Sequence, residues 1–210
     1  MAEVIPAIIG QNFSEVEDKL NLLDQLVDWA HLDVMDGKFA PSRSWSVASD
    51  LDFIAGKIKL EVHLMVKEPE AVLGEWVRVV DRIIVHAEAV NNLPDLLQVF
   101  ESHHTQLGVA LLLSTPLEEI ESVLDQIKFV HLMSIEEIGY QGKKFEEKVL
   151  NKIKSLRAMA PHVTISVDGG INLDNASSVL AAGADRLVIG NAIWSARDLA
   201  ATITEFKKIC

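Results

Sequence analysis

The sequence of 210 residues has one cysteine, Cys210, so it offers no intramolecular disulfide. Basic side chains are fewer than acidic ones: the chain has 19 Lys and Arg and 31 Asp and Glu, which gives a formal net charge of -12. That balance argues against a nucleic-acid surface and against binding to anionic lipid. The sequence also lacks a signal-type N-terminus and any apolar run of membrane-spanning length. We therefore expect a cytoplasmic protein that binds neither nucleic acid nor membrane.

What the chain does contain is a regular alternation of apolar runs and helical segments. The eight apolar runs are Val4–Ile9, the stretch around His31 and Asp33, Lys59–Val66, Arg82–His86, Leu107–Leu113, Lys128–Met133, Val163–Val167 and Arg186–Ile189. Such alternation favours a parallel sheet, and eight units favour a closed, single-domain (β/α)8 TIM barrel over residues 1–210. A doubly wound open sheet is the alternative. It is weakened because no glycine-rich dinucleotide fingerprint follows the first strand.

Capping signals predict where several of the intervening helices begin. Ser14 with Glu17 forms a potential capping box, and Asp174 is predicted to cap a short helix that ends near Ala182. Pro69 is predicted to open a helix that runs to about Val80. Residues 50–58 are also predicted to be helical.

Polar side chains interrupt three of the apolar runs, where a core strand would not carry them. His31 and Asp33 are two residues apart, so both point to one side of their strand, and His63 and Asp168 lie in two others. Burying such groups is costly unless they are paired, and a metal ion is a common partner. Two imidazoles and two carboxylates suit one divalent ion, namely Zn, Fe, Mn or Co. The alternative is four ordinary hydrogen-bonded core groups.

Two carboxylates beside one metal also indicate proton transfer. A metal that polarises a carbonyl or enediolate oxygen lowers the pKa of the neighbouring carbon acid. Asp33 and Asp168 could then remove a proton from that carbon and return one on its other face. Gly169, Gly170 and Gly190 follow strands seven and eight, where barrels often bind phosphate on backbone amides. Each glycine could instead serve only a tight turn.

The remaining polar residues of the strands receive simpler interpretations. His131 has no obvious partner and is interpreted as structural. His86 and Glu88 end strand four and are candidates for an outer position at the barrel mouth. Composition alone favours core filling for Met35, Met65 and Met133.

Five stretches resemble a known family: residues 31–37 (HLDVMDG), 62–66 (VHLMV), 167–172 (VDGGIN), 181–185 (AAGAD) and 190–193 (GNAI). They are similar to the ribulose-phosphate 3-epimerases, metal-dependent (β/α)8 enzymes of the pentose phosphate pathway. The resemblance implies metal ligands at His31, Asp33, His63 and Asp168, with Asp33 and Asp168 also the acid/base pair. It implies that Met35, Met65 and Met133 crowd the reacting carbons. It places Gly142, Gly169, Gly170, Gly190 and Asn191 in phosphate-binding loops, with Asn191 replacing the usual Ser.

Three loops depart from the family pattern. Residues 6–10 (PAIIG) lack both serines of the usual Pro-Ser-Ile-Leu-Ser, and residues 112–114 (LLS) replace Asn-Pro-Gly. The loop at residues 136–142 is one residue longer and brings Glu136 and Glu137 near the expected phosphate, where they would oppose binding.

The resemblance implies a homo-oligomeric enzyme that epimerises a ketose phosphate at carbon 3, converting D-ribulose 5-phosphate to D-xylulose 5-phosphate. Another sugar phosphate, such as a six-carbon ketose phosphate, is the nearest alternative. A decarboxylase or aldol synthase of the same superfamily would need a Lys that strand two lacks between His31 and Asp36. A barrel that binds a phosphosugar without turning it over is the third alternative.

Overall fold

A computed structural model describes residues 2–54 and 58–210. Eight parallel strands form one closed barrel, in which each strand pairs with the next and the last pairs with the first. They are β1 (Glu3–Ile8), β2 (Trp29–Met35), β3 (Lys59–Met65), β4 (Arg82–His86), β5 (Gln106–Leu111), β6 (Phe129–Met133), β7 (Thr164–Asp168) and β8 (Arg186–Ile189). The predicted (β/α)8 barrel is confirmed, and the open sheet is wrong.

The helices between the strands are short. They are α1 (Phe13–Leu23), α2 (Leu73–Trp76), α3 (Leu93–Phe100), α4 (Glu118–Glu121), α5 (Lys148–Met159), α6 (Ala176–Ala181), α7 (Asn191–Trp194) and α8 (Leu199–Ile209). Further 3-10 helices cover Ala48–Phe53, Pro69–Ala71, Ala87–Ala89 and Leu124–Gln126. Within the described part of the chain, none of these helices has the length and apolar character needed to cross a bilayer.

Two of the predicted helix starts are wrong. Helix α1 begins at Phe13, because the side chain of Asn12 accepts a hydrogen bond from the Glu15 backbone N–H at 3.1 Å and so caps the helix ahead of Ser14. Helix α6 begins at Ala176 rather than after Asp174, whose own N–H donates to Asn172. An asparagine side chain satisfies a backbone N–H group as well as Ser or Asp does, which accounts for the start of α1, whereas the N-cap residue of α6, Asn175, makes no side-chain capping hydrogen bond.

Two further helices differ from their predictions. The helix predicted from Pro69 to Val80 is split into the 3-10 helix Pro69–Ala71 and α2, and Val72 between them has φ -113°. Val72 is β-branched and restricts the regular helix. The helix predicted over residues 50–58 is a 3-10 helix at Ala48–Phe53, and residues 55–57 of that prediction lie outside the described residues.

The strands alternate between an outer face, packed on the helices, and an inner face that fills the barrel. Gly108 of β5 leaves the space that the Phe129 ring occupies, since a Cβ at Gly108 would lie 2.2 Å from that ring. The pairing of β2 with β3 sets Asp33 opposite His63. Asp168 is the last residue of β7. The closed barrel therefore directs all three side chains toward its carboxyl-terminal end.

Candidate metal centre and active site

The Asp33 carboxylate lies between two histidine rings. Its Oδ1 atom is 3.2 Å from His31 Nε2 and 3.2 Å from His63 Nδ1. Both imidazoles are fully buried, while Asp33 remains 8% exposed. Three of the four predicted metal ligands thus converge on one point, because the strand alternation and the β2–β3 register place them on neighbouring inner positions.

Strong electrostatic coupling holds these groups in their charge states. Burial acts to raise the pKa of Asp33, but the charge and hydrogen bonds of His31 and His63 outweigh it and hold the pKa well below its usual range. Burial acts to lower the pKa of His31, but Asp33 and Glu61 outweigh it and raise this pKa well above its ordinary value. For His63 burial dominates and lowers the pKa to about 4. The anionic carboxylate is therefore strongly favoured, and it is the form that binds a cation.

The ring nitrogens that face away from Asp33 are also held. His31 Nδ1 lies 2.7 Å from Glu61 Oε1, and Arg82 Nη1 lies 3.3 Å from the other oxygen of Glu61. Such outer partners fix the orientation of a ligating imidazole. Glu61 and Arg82 therefore form a second, buried layer of support beneath His31.

A parallel chain of contacts supports His63. Its Nε2 atom lies 2.9 Å from His86 Nε2, and His86 Nδ1 lies 3.2 Å from Glu88 Oε2. Because Nε2 of His63 is occupied, Nδ1 is the nitrogen that faces Asp33. His86 and Glu88, expected at the barrel mouth, thus lie in contact behind a predicted ligand, with His86 fully buried.

Asp168 approaches the same cluster from β7. Its Oδ2 atom lies 3.4 Å from Nε2 of His131, whose Nδ1 lies 3.2 Å from the Ser166 hydroxyl. The interpretation that His131 lacks a partner is therefore wrong. Its partners lie on the neighbouring strand, about 35 residues further along the chain, where local pattern gives no signal.

The buried cluster fits a divalent cation. One potential ligand atom from each of His31, His63, His131 and Asp168 lies within 4.8 Å of the others. Asp33 lies 3.2 Å from His31 and from His63, and Asp168 lies 3.4 Å from His131, so the donor atoms have the close spacing of groups that share one small cation. The mixed imidazole and carboxylate set suits Zn, Fe, Mn or Co.

A cavity of about 230 Å³ opens above this cluster. The predicted site residues that line it are Asp33, Met65, Met133, Gly142, Asp168, Gly169, Gly170, Gly190 and Asn191. Met35 packs with Met65 and Met133 but lies outside the lining formed by the described residues. His31 and His63 are buried beneath it. The cavity therefore presents both aspartates at one end of a partly apolar wall.

The glycine loops that line the cavity have conformations that suit glycine. Gly142, Gly169 and Gly170 have φ angles of 77°, 117° and 66°. At Gly170 a Cβ would lie 2.5 Å from the backbone nitrogen of Phe145. Tight turns and close approach therefore account for these glycines by themselves. They also leave the backbone uncovered beside the cavity, where small ligands reach it.

The loop after β6 contributes cavity residues that the sequence did not single out. Tyr140, Gln141 and Lys143 line the cavity, and the Gln141 side chain donates to the Ala7 carbonyl at 3.1 Å. Glu136 pairs with Lys148 and Glu137 pairs with Lys143, so each acidic side chain has a basic partner. These lysines follow the acidic pair within twelve residues, and that spacing was the available signal. The expected opposition to phosphate binding stays a prediction.

Comparison with solved structures finds the same fold in other proteins. A solved structure of 3-hexulose-6-phosphate synthase superposes with a TM-score of 0.71 at 18% identity, covering 99% of both chains. KGPDC from Streptococcus mutans superposes with a TM-score of 0.76 at 16% identity, covering 100% of this chain and 97% of that one. At these identities the likeness establishes the fold alone.

Sequence comparison identifies the family. The model of the ribulose-phosphate 3 epimerase family matches residues 3–194. The ribulose-phosphate 3-epimerase of Bacillus subtilis (strain 168) is 33% identical over 99% of each chain. The chloroplastic ribulose-5-phosphate-3-epimerase of Arabidopsis thaliana is 34% identical over 97% of this chain and 75% of its own. The chain therefore belongs to the ribulose-phosphate 3-epimerase family and is an isomerase.

Proposed function

We propose that this isomerase interconverts D-ribulose 5-phosphate and D-xylulose 5-phosphate by proton transfer at carbon 3. The observation that carries the proposal is that two carboxylates from different walls, Asp33 of β2 and Asp168 of β7, line one cavity. Strands β1 and β8 lie between them, so the carboxylates approach from separate directions. The names of the relatives from B. subtilis and A. thaliana support the same reaction.

Each carboxylate would carry out one half of the proton transfer. One would remove the proton from carbon 3, and the other would deliver a proton to the opposite face of the same carbon. Their roles exchange when the reaction runs in reverse. Met65 and Met133 line the cavity with apolar surface, which would keep water away from the carbon while it is deprotonated.

A divalent ion would be held by His31, Asp33, His63 and Asp168. When bound, it would stabilise the negative charge that develops on the enediolate oxygens. The partners behind the imidazoles, Glu61 and His86, would hold the ligating nitrogens in position.

The glycine loops would hold the phosphate. Backbone N–H groups beside Gly142, Gly169, Gly170, Gly190 and Asn191 border the cavity and could donate to phosphate oxygens. Lys143 adds a cation to the same lining, although Glu137 holds it in the ligand-free protein. The cytoplasmic location and the homo-oligomeric state expected from the sequence stay predictions.

Deuterium exchange tests the reaction directly. The metal-loaded protein is incubated with D-ribulose 5-phosphate in D2O, and the proton on carbon 3 is followed by NMR. We expect exchange together with the appearance of xylulose 5-phosphate in the wild type, and loss of the epimer in both Asp33→Asn and Asp168→Asn. The exposed Asp174→Asn variant, which makes the same change outside the cavity, should behave as the wild type.

Two results would contradict parts of this proposal. Exchange without the epimer would show that only one carboxylate acts. Absence of exchange in metal-loaded wild type would exclude this substrate, and the same assay with a six-carbon ketose 6-phosphate would then test the nearest alternative.

A further inference from the structure

His131 is an unusual group to find inside a barrel. It is fully buried, and its Nε2 atom has no hydrogen-bond partner among the described residues. Leaving a buried polar atom unpaired costs free energy that an aliphatic side chain of similar size would not incur. The Asp168 oxygen at 3.4 Å is too distant to be a good hydrogen-bond partner, so the nitrogen calls for a closer one.

The surroundings of His131 indicate what this partner is. Its ring centroid lies 5.3 Å from that of His31 and 4.7 Å from that of His63. Its Nδ1 atom lies beside the Ser166 hydroxyl at 3.2 Å. When the Nδ1–H group of His131 donates to Ser166, its Nε2 atom carries no hydrogen. The lone pair of Nε2 is then available on the side of the other ligands of the proposed metal site.

We propose that His131 is an additional ligand of the divalent ion. The ion would then be surrounded by three imidazoles, from His31, His63 and His131, together with the carboxylates of Asp33 and Asp168. This inference rests on the metal site of the proposed function. It adds a ligand from β6. His131 can serve as this ligand because the potential ligand atoms of the three histidines and Asp168 all lie within 4.8 Å of one another.

A third imidazole changes which ions the site prefers. Imidazole nitrogen suits Zn and Co, whereas Mn is better served by oxygen ligands. We therefore expect this chain to discriminate more strongly for Zn over Mn than the same chain without His131.

A positioning role is the competing explanation, in which His131 only donates a hydrogen bond to Asp168 through Nε2. The substitution His131→Gln separates the two, because glutamine retains a donor but is not an imidazole. His131→Leu removes both functions and fills the space. Ser166→Ala keeps the imidazole, and His104→Leu repeats the leucine substitution at an exposed histidine.

The experiment uses the full chain, stripped of metal and reloaded with zinc. X-ray absorption at the zinc edge counts imidazole ligands, and calorimetric titration measures the Kd for Zn and for Mn. We expect three imidazoles in the wild type, in Ser166→Ala and in His104→Leu, and two in both His131 variants. The zinc Kd should rise at least about tenfold in both His131 variants, and the manganese Kd should rise less.

The outcomes separate this inference from the proposed function. A count of two imidazoles in the wild type, unchanged in His131→Leu, overturns the inference even if carbon 3 still exchanges deuterium. A count of three in a protein that exchanges no deuterium supports the inference and overturns the proposed reaction. A wild type that binds neither ion overturns both metal assignments.

Discussion

The two ends of the barrel interior are both polar, but they differ in how their charges are partnered. At the amino-terminal end Arg186 Nε lies 2.8 Å from Glu3, and Arg82 Nη1 lies 3.3 Å from Glu61. The Trp29 ring covers the guanidinium group of Arg82, with 3.3 Å between the ring centroid and the guanidinium carbon. The Phe129 ring covers the guanidinium group of Arg186, with 4.9 Å between the same points. Two cations and two anions thus balance each other in charge, although Arg82 Nε and Arg186 Nη1 are buried without a hydrogen-bond partner among the described residues.

At the carboxyl-terminal end the polar groups face one another without such balance. Asp168 converges with three imidazoles, Asp33 contacts two of them, and Nε2 of His131 makes no hydrogen bond among the described residues. A set of imidazole and carboxylate donors that meets at one point is suited to bind a cation. The comparison indicates that buried charge at the amino-terminal (lower) end stabilises the fold, whereas buried charge at the carboxyl-terminal (upper) end binds a ligand.

The largest expected effect is on catalysis, from Asp168→Asn. Turnover should fall by about 10²–10⁴ because a carboxylate that transfers a proton is lost. The free energy of unfolding of the metal-free protein should change by less than ~1 kcal/mol, since the one ion pair of Asp168, with His131, is long at 3.4 Å. Steady-state kinetics and urea unfolding measure the two quantities. A strongly destabilised variant would show that the upper end is structural as well.

The opposite pattern is expected for Arg82→Met at the lower end. Removing this cation leaves Glu61 buried without it, which should cost about 3–5 kcal/mol of unfolding free energy. Turnover per folded molecule should fall far less than in Asp168→Asn, because Arg82 reaches the proposed metal site only through Glu61 and His31. Urea unfolding and kinetics on the folded fraction test this, with the exposed Arg78→Met as the control. Lost turnover at unchanged stability would reverse the comparison.

Glu61 belongs to both ends and should show both effects. One of its oxygens contacts His31 and the other contacts Arg82. Burial acts to raise its pKa, but His31, His131 and Arg82 outweigh burial and lower the pKa to about 2, so the group is anionic in the native protein. Glu61→Gln should weaken zinc binding by about 10–100-fold and also reduce stability. Calorimetric titration and urea unfolding give the two numbers. An unchanged zinc Kd would show that Glu61 supports only the lower end.

The features of the fold and of the site that the sequence predicts are those that depend on neighbouring residues in the chain. The strands Arg82–His86 and Arg186–Ile189 match their predicted bounds, because an apolar run between turns is a local pattern. The convergence of Asp33 with His63 followed from strand order. The ligand-like environment of His131 did not, because Ser166 and Asp168 come beside it only through the pairing of β6 with β7.

The helix ends show the same limit at shorter range. Asn12 and Ser14 are both good caps, and only the folded chain shows that Asn12 reaches the Glu15 N–H. The acidic loop after β6 is a further example, because the pairing of Glu136 with Lys148 depends on how the loop folds.

The smallest expected effect is that of replacing Asp36, a charged residue at the upper end of the barrel whose carboxylate is fully hydrogen-bonded. Asp36 follows β2, and its two oxygens accept hydrogen bonds from the backbone N–H groups of Lys38, Phe39 and Lys67. Burial acts to raise its pKa, but these bonds outweigh burial and lower the pKa below its ordinary value of 3.8. If partnering decides the role, Asp36 should act as a structural group despite its place beside the site.

Asp36→Asn should therefore lower stability on the order of 1 kcal/mol at pH 7 and leave turnover unchanged. A carboxylate whose pKa is lowered by folding stabilises the protein above its unfolded pKa, and this contribution is lost as the pH falls through the native value. The stability gap between wild type and Asp36→Asn should therefore narrow below about pH 4. Urea unfolding of both proteins at pH 7 and pH 3 measures the gap. A gap that stays constant with pH would mean that the charge of Asp36 contributes nothing, and a loss of turnover would place Asp36 with the ligand-binding groups.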